Sequence, residues 1–377
     1  MEGITLTRKQ EEGLRLAVKR FKDREPYTVI AGFAGTGKST LIQFIIDTLN
    51  ISERYIAYVA YTGKAALVLK NKGCPGATTA HKLLYHTVEL PDGTFEHTPK
   101  LKPDKLLKLI IVDEVSMLEK EQWDILMRWG VHVICLGDPF QLPPINEDNG
   151  VLAHPHIFLD EVMRQAQNSE IIRLSMDIRE GKSLNYFKGQ DVRIVPKDTI
   201  SDRLLSTADI VLCGKNATRY FLNQKIRRLI WNDSYVDEPI NGDKIICLKN
   251  YWNKGDLANG LIGTIEHIDK SDDFFLKTKL LADFNTDDSA FYDLSMDYKL
   301  FVDGKPLVDK DNWRMYPKEI RPMEFDYAYA ITVHKSQGSE YNRVVLFNEY
   351  LGRDREQYLR WLYTGITRSS EKLVIGI

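Results

Sequence analysis

The amino-acid sequence predicts an α/β protein with parallel sheets and a smaller β-rich insert. First, a β-branched run at residues 27–31 leads through a glycine-rich turn into the helical spacing of residues 40–49. Second, strand–loop–helix units of this kind recur, with polar residues directly after the strands. Third, residues 242–320 change to alternating, β-branched segments separated by Gly, Asn and Asp. The second α/β unit is therefore expected to be split around a β insert.

Composition narrows the class of protein. A length of 377 residues suits two to three domains, and 43% hydrophobic with 28% charged residues is typical of a soluble globular chain. The net charge of −2 argues against a globally basic nucleic-acid binder but allows a local basic groove. No signal-peptide pattern or membrane-length apolar run is present, so we expect a cytoplasmic protein without a membrane partner. Four scattered cysteines without C-x-x-C spacing predict reduced, buried thiols.

The stretch from Val29 to Leu41 carries the full phosphate-loop pattern. It reads Gly32-x-x-x-x-Gly37-Lys38-Ser39 between a predicted strand and a predicted helix. Backbone N–H groups and the helix dipole of such a loop point at phosphate, so we expect Lys38 at the β/γ-phosphates and Ser39 on Mg²⁺. A chance match in a glycine-rich turn is the alternative, which the flanking elements disfavour. The residues expected to contact the nucleotide here are Gly35, Thr36, Gly37, Lys38, Ser39 and Thr40.

Two later strands end in residues that suit catalysis on a bound nucleotide. The predicted strand at 106–112 ends in Asp113 and Glu114, which suit the Mg²⁺ shell and the polarisation of an attacking water. Such a pair is commonplace by itself, but the phosphate loop gives it a partner. Gln141 follows the strand at 131–136, where ligands of open α/β sheets collect.

A short β-hairpin is predicted at residues 86–99. Two β-prone segments flank the turn Pro91-Asp92-Gly93. Phe95 lies near the tip, and two interpretations stay open for it: a half-buried hairpin residue or an apolar wedge.

Taken together, these segments resemble superfamily 1 helicases, and most closely the RecD/Dda branch (superfamily 1B), which translocates 5′ to 3′ on single-stranded DNA. The likeness covers nearly the whole chain, and its specificity lies in the order of the motifs. The short length of the chain is similar to that of phage-encoded members. The matching segments are LTRKQ (6–10), GFAGTGKST (32–40), YTGKAA (61–66), TTAHKLL (78–84), IIVDEVSM (110–117), LGDPFQLPPI (136–145), EVMRQ (161–165), VHKSQGSE (333–340) and YTGITRS (363–369). One departure is Tyr61, where the family has Pro.

The resemblance implies two RecA-like parallel-sheet motor domains with a small β-hairpin insert and a small SH3-like β-barrel insert. The expected divisions are 1–158 for the first RecA-like domain, with the hairpin or pin at about 86–100, then 159–241 for the first part of the second, 242–320 for the barrel and 321–377 for the remainder.

The resemblance also implies roles at the nucleotide. Gln10 would read adenine, while Arg164 and Arg368 would be arginine fingers presented across the cleft. Gln141 would sense the γ-phosphate and couple it to DNA. Gln337, Gly338 and Glu340 would contact phosphate and ribose, although Glu340 fits a solvated loop carboxylate equally well. The implied catalytic set is Lys38, Asp113, Glu114, Gln141, Arg164 and Arg368, with ATP and Mg²⁺ as cofactors and Ser39 and Asp113 on the metal.

On the DNA side, hydroxyls, backbone N–H groups and lysines suit phosphate contacts that carry no sequence information. His81 also fits a packed core histidine. Phe95 corresponds in location to the family's strand-separating pin, and Tyr251 and Trp252 fit either base stacking or the core of the barrel. The residues implied to face the single strand are Thr62, Gly63, Lys64, Thr79, His81, Thr332, His334 and Lys335.

The resulting hypothesis is an ATP-dependent DNA helicase that moves 5′ to 3′ and works as a monomer on single-stranded DNA and on single-strand/duplex junctions. Single-strand-binding, replication or recombination proteins are its candidate partners, in a bacterial or phage-infected cytoplasm. Two alternatives remain: an ATPase subunit or remodelling translocase that unwinds only within a complex, and an RNA helicase of the same superfamily. A metabolic kinase is disfavoured, because it explains neither two arginine fingers nor a split second α/β unit.

Overall fold

Three sheets and one hairpin organise the part of the chain that the structure describes. The computed structural model describes residues 5–71, 73–90, 95–143, 149–163, 168–234, 237–251, 257, 259–270, 275–282, 290–304, 322–349 and 354–377. Arg164 and Trp252, both named above, lie outside these residues, as does the predicted turn at 91–93. None of the described helices is both long and apolar enough to cross a membrane.

The first sheet has six parallel strands in the order β3-β2-β6-β7-β1-β8. The strands are β1 (Tyr27–Gly32), β2 (Ile56–Ala60), β3 (Thr78–Thr79), β6 (Leu109–Val112), β7 (His132–Gly137) and β8 (Ile157–Leu159). The strand predicted at 106–112 begins only at Leu109, and Leu106 is exposed. Because β1 ends beside β7 and β8, the phosphate loop that follows it lies at the carboxyl edge of the sheet.

Helices cover both faces of the first sheet. They are α1 (Arg8–Lys22), α2 (Lys38–Leu49), α3 (Gly63–Asn71), α4 (Ala80–Leu84) and α5 (Lys120–Arg128). Consecutive residues of β1 enter different cores: Ile30 packs with α1 and α2, and Val29 packs with α5. Thr7 caps α1, since its hydroxyl accepts from Gln10 N and the Gln10 side chain accepts from Thr7 N.

The predicted hairpin is present. Strands β4 (Tyr85–Glu89) and β5 (Phe95–Pro99) pair antiparallel, with Glu89 opposite Phe95. Phe95 is half-buried and lies at the described end of the hairpin, away from its junction with α4.

The second parallel sheet has the order β17-β11-β18-β19-β10-β9, and only the edge strand β9 runs antiparallel to its neighbour. Its strands are β9 (Phe187–Lys188), β10 (Val192–Val195), β11 (Ile210–Cys213), β17 (Ala330–Thr332), β18 (Tyr341–Phe347) and β19 (Ser369–Gly376). Its helices are α6 (Glu170–Arg179), α7 (Asp202–Thr207), α8 (Asn216–Trp231) and α10 (Arg355–Ile366). Trp361 and Ile366 of α10 are buried against the sheet.

The β insert is a curved antiparallel sheet. Strands β12 (Lys244–Cys247), β13 (Ile262–Lys270), β14 (Phe275–Ala282), β15 (Ala290–Asp297) and β16 (Phe325–Tyr327) follow the order β15-β14-β13-β12-β16, and α9 (Tyr298–Asp303) follows β15. Met323, just before β16, donates to Ser295 O and accepts from Asp297 N, so the two edges of the sheet meet. The result is a small barrel whose last strand lies beyond the expected boundary at residue 320.

One β-prone run is divided between two sheets. The apolar run 325–333 reads as a single strand, but β16 pairs with β12 in the barrel and β17 pairs with β11 in the parallel sheet. The side chain of Asn223 holds the break, donating to Tyr327 O and Ala330 O and accepting from Ala330 N. The barrel and the second parallel sheet are therefore joined within three residues of chain.

Candidate nucleotide site between the two parallel sheets

The phosphate loop adopts a conformation that requires glycine. Gly35 and Gly37 have φ values of 75° and 76°, in the left-handed region. A Cβ on Gly37 would also lie 2.5 Å from Gln10 Nε2 and 2.5 Å from Met163 Sδ. Thr36 is buried and donates to Phe33 O, whereas Ser39 is exposed at the start of α2. The loop thus presents the N-terminus of a twelve-residue helix, as an anion site should.

Lys38 lies inside this loop and faces acidic residues. Its ammonium donates to Gly32 O at 2.6 Å and to Phe33 O at 3.0 Å. Burial lowers the pKa of Lys38, while the carboxylates of Asp138, Asp113 and Glu114 act in the opposite direction. The expected lysine and the expected carboxylate pair are therefore brought together.

Glu114 has the features of a general base. Its φ of 52° is uncommon for a residue other than glycine, and strain of this kind concentrates at functional sites. Its N–H donates to Asp113 Oδ1 at 3.0 Å. Burial raises the pKa of Glu114, and the nearby Arg368 guanidinium is the largest influence that lowers it. A carboxyl group with a raised pKa can take a proton from an attacking water near neutral pH.

Arg368 reaches this carboxylate from the second parallel sheet. It follows α10, is 5% exposed, and donates through Nε to Thr364 O at 3.1 Å and through Nη1 to Ser339 O at 3.1 Å. Its Nη1 lies 3.8 Å from Glu114 Oε1. The expected arginine finger and the expected base thus face each other between the two sheets.

The segment 337–340 lines the same cleft. Gln337 Nε2 donates to Leu142 O at 3.0 Å, so its amide contacts the loop after β7. Gly338 has a φ of 73°, and a Cβ there would lie 3.0 Å from Glu114 Oε2. Glu340 is exposed. Gln337 and Gly338 therefore pack into the cleft, whereas Glu340 lies outside it.

The two remaining glutamines differ in environment. Gln10 is 1% exposed, and its Nε2 donates to Thr36 O at 3.1 Å, so it supports the phosphate loop directly. Gln141 is half-buried in the loop after β7. Adenine recognition by Gln10 and γ-phosphate sensing by Gln141 stay predictions.

Three residues of the interface were not singled out from the sequence. The Tyr363 hydroxyl donates to Asp138 Oδ2 at 2.6 Å and accepts from Ala34 N at 3.0 Å. The Arg179 guanidinium lies 3.7 Å from the centre of the Phe33 ring. Asp138 and Tyr363 belong to the motif segments 136–145 and 363–369, which are a sequence signal for both, whereas Arg179 carries no sequence signal.

The hydroxyls expected at the single strand cap local turns. Thr62 Oγ1 accepts from Ala65 N at 3.1 Å, Thr79 Oγ1 accepts from Lys82 N at 3.2 Å, and Thr332 Oγ1 accepts from Lys335 N at 3.4 Å. Gly63, like Thr62, is half-buried, at the start of α3. Lys335 is exposed, and its Nζ donates to Asn259 Oδ1 of the barrel at 3.3 Å.

Two residues expected at the DNA are placed differently. Lys64 is 6% exposed, and its ammonium donates to Tyr341 OH at 2.9 Å and lies 4.3 Å from the centre of that ring, so it bridges the two sheets instead of facing solvent. His81 stacks on Tyr85 at 4.6 Å and meets His97 edge-on at 4.3 Å. Burial, with a contribution from His97, lowers the pKa of His81 to about 4. His81 is therefore neutral at pH 7 and offers an aromatic surface, not a charge. Burial also lowers the pKa of the half-buried His334.

Tyr251 belongs to the core of the barrel. Its ring packs on that core, and its hydroxyl accepts from Glu324 N at 2.5 Å. Of the two interpretations of Tyr251, the structure favours the core aromatic.

Comparison with known proteins assigns the family. Residues 5–193 match the family model described as an AAA domain, and residues 327–375 match the UvrD-like helicase C-terminal domain. The chain belongs to superfamily 1 of the helicases. Two relatives carry names of the RecD/Dda branch. The ATP-dependent DNA helicase Dda of Enterobacteria phage T4 is 29% identical over 59% of this chain and 55% of the relative, and the ATP-dependent RecD2 DNA helicase of Deinococcus radiodurans is 27% identical over 91% of this chain and 46% of the relative. The chain spans about half the length of these two relatives.

A solved structure supports the same fold. Pif1 helicase from Bacteroides, in complex with ADP-AlF3 and single-stranded DNA, is 17% identical, with a TM-score of 0.58 over 99% of this chain and 93% of that chain. The predicted fold class is thereby confirmed: two RecA-like parallel-sheet domains with hairpin and barrel inserts.

Proposed function

We propose that this protein is an ATP-dependent DNA helicase that translocates 5′ to 3′ on single-stranded DNA and unwinds duplex ahead of it. One observation carries the proposal: Arg368 of the second RecA-like domain lies 3.8 Å from Glu114 of the first, beside the phosphate loop and Lys38. Both halves of a phosphoryl-transfer site are thus present in one chain. The names of the Dda and RecD2 relatives support DNA over RNA as the substrate.

Each residue of the site has a defined task in this proposal. Lys38 and the loop N–H groups bind the β/γ-phosphates, and Glu114 takes the proton of the attacking water. Arg368, with Arg164 as a second finger, balances the charge that develops on the γ-phosphate. Gln141 and Gln337 couple the state of the γ-phosphate to the residues that contact DNA.

Ser39 and Asp113 fit Mg²⁺. A hydroxyl and a carboxylate are hard oxygen ligands, and Mg²⁺ commonly takes one or two such groups besides nucleotide phosphates. No group of three or more His, Cys, Asp or Glu side chains forms a metal cluster among the described residues. When bound, the ion neutralises phosphate charge. Asp113 is positioned for it by the hydrogen bond from Glu114 N.

Movement along DNA follows from closure of the cleft. Thr62 and Thr79 belong to the first domain, whereas Thr332 and His334 belong to the second. Because the nucleotide binds between the domains, closing and reopening the cleft changes the spacing of these two groups. Alternating grip on the strand then gives directed motion.

The hairpin is proposed as the strand-separating element, with Phe95 as its wedge. We expect Phe95→Ala to lower the unwinding rate by about 10-fold or more, since unstacking a base step costs a few kcal/mol. ATP turnover on single-stranded DNA should change by less than about 2-fold, because the described strands of the hairpin, β4 and β5, do not line the nucleotide site. Val88→Ala is the matched control, being on the same hairpin and 57% exposed. Equal loss in both variants would assign the defect to hairpin folding and not to Phe95.

Two matched duplexes test the function itself. One carries a 5′ single-stranded tail and the other a 3′ tail, each with ATP and Mg²⁺. Unwinding from the 5′ tail alone supports the proposal, and unwinding from the 3′ tail alone contradicts its polarity.

Lys38→Ala should abolish ATP turnover while leaving DNA binding largely intact; normal hydrolysis by that variant would refute the site. ATPase stimulation by DNA but no unwinding would favour the complex-dependent translocase, and stronger stimulation by RNA would favour an RNA helicase.

A further inference from the structure

The second domain holds the phosphate loop at a place separate from Arg368. Tyr363 of α10 donates its hydroxyl proton to Asp138 Oδ2 at 2.6 Å and accepts from Ala34 N at 3.0 Å. Tyr363 is 1% exposed and Asp138 is 3% exposed, so water does not compete for either hydrogen bond. A single hydroxyl therefore joins the second domain to two loops of the first.

Both loops act on the ammonium of Lys38. The Lys38 ammonium donates to the carbonyls of Gly32 and Phe33, on the turn that contains Ala34. Asp138 is the carboxylate that acts most strongly on that ammonium. Displacement of either loop would therefore move the lysine that is proposed to bind the phosphates.

A second contact from the same domain acts on the same turn. The Arg179 guanidinium lies over the ring of Phe33, whose edge meets Phe158 at 5.1 Å. The ring of Tyr363 itself packs edge-on against Phe140, two residues after Asp138. The turn and the loop after β7 are thus both held from the second domain.

We propose that Tyr363 and Arg179, acting on Phe33, Ala34 and Asp138, form a closure latch: they are positioning residues that set the phosphate loop for hydrolysis only when the two domains are closed. Neither residue needs to touch the nucleotide. The inference rests on the proposed ATPase function and adds to it a cause for its dependence on closure. A hydrogen bond to a charged acceptor is strong enough to change the closed population by about 10-fold.

Tyr363→Phe removes the hydroxyl and keeps the ring on Phe140. We expect kcat for DNA-stimulated ATP hydrolysis to fall by about 10-fold, while the Kd for ADP stays within about 2-fold, because ADP binds the open cleft as well. The Kd for ADP–aluminium fluoride, a transition-state analogue that requires the closed cleft, should rise about as much as kcat falls. Arg179→Ala should act in the same direction. Tyr358→Phe is the matched control, since it removes a hydroxyl of the same helix that bonds Asn348.

A double-mutant cycle tests whether Tyr363 acts through Asp138. Asp138→Asn combined with Tyr363→Phe should be no slower than the slower single variant. A kcat within 2-fold of the wild type for Tyr363→Phe, or equal losses in the Kd for ADP and for ADP–aluminium fluoride, would overturn the latch. Fully multiplicative losses would overturn the route through Asp138. Absence of DNA-stimulated hydrolysis in the wild type would instead refute the proposed function, so the two failures are distinguishable.

Discussion

Replacing Arg368 by Ala is expected to lower DNA-stimulated ATP turnover by about 10³–10⁵-fold, the range seen for arginine fingers in other phosphoryl-transfer sites. Arg368 is already ordered by hydrogen bonds to Thr364 O and Ser339 O, so its charge faces the cleft without reorganisation. Steady-state kcat at saturating ATP and single-stranded DNA measures the effect. Arg8→Ala is the control, since Arg8 is 88% exposed in a helix-surface pair.

The same variant should change how activity depends on pH. Burial raises the pKa of Glu114 and Arg368 is the main group that lowers it, so removing Arg368 raises that pKa further. The base must be ionised to accept a proton, and a higher pKa leaves less carboxylate at neutral pH. The residual kcat of Arg368→Ala should therefore rise with pH across a range where the wild type is already level. Arg368→Lys restores the charge but not the planar fork, so we expect the pH profile to recover more fully than kcat. A pH profile of Arg368→Ala identical to that of the wild type would contradict this coupling.

The elements that could be predicted from the sequence depend on short stretches of chain. The phosphate loop needs only glycines at positions with positive φ beside a lysine, and α1 needs only Thr7 and Gln10 to form its cap. The break in 325–333 could not be predicted in this way, because Phe325–Tyr327 and Ala330–Thr332 are apolar and β-prone alike. The break is held by Asn223, whose amide donates to the carbonyls of Tyr327 and Ala330. These two residues lie 104 and 107 positions later in the sequence.

The site residues also fall into two groups: those positioned by local sequence, and those whose partners are distant in the sequence. Lys38, Asp113 and Glu114 were found because a strand end and a loop pattern position them locally. Lys64 looks like a phosphate contact in its own motif, and only Tyr341, 277 residues later, shows that its ammonium is used between the domains. Arg179 has no local signal at all, since its partner Phe33 belongs to the other domain. Apart from the contact of Arg368, which the motif resemblance implied, the contacts between the two RecA-like domains are therefore the part of the site that required a structure.

The buried pair of Arg227 and Asp243 is expected to have the largest effect on stability. Both side chains are 0% exposed, and the guanidinium bonds the carboxylate twice, at 2.9 and 2.8 Å. Asp243→Ala leaves an uncompensated buried cation, so we expect the free energy of unfolding to fall by about 3–5 kcal/mol. Urea unfolding followed by circular dichroism and by tryptophan fluorescence measures the change, since Trp231 bonds the same carboxylate. Glu12→Ala, which breaks the exposed pair with Arg8, should leave the transition midpoint nearly unchanged.

A double apolar replacement separates this network from an ordinary buried ion pair. Replacing both members of a simple pair by apolar residues is often neutral or stabilising. Asp243 also accepts from Trp231 Nε1, Tyr329 OH and Ile240 N, and these part-buried hydrogen bonds would lose their acceptor. We therefore expect Arg227→Met with Asp243→Leu to be about as unstable as Asp243→Ala. Recovery of wild-type stability in the double variant would show instead that Arg227 and Asp243 behave as an ordinary replaceable ion pair, and that the further hydrogen bonds to this carboxylate are not needed to join the barrel to the second domain.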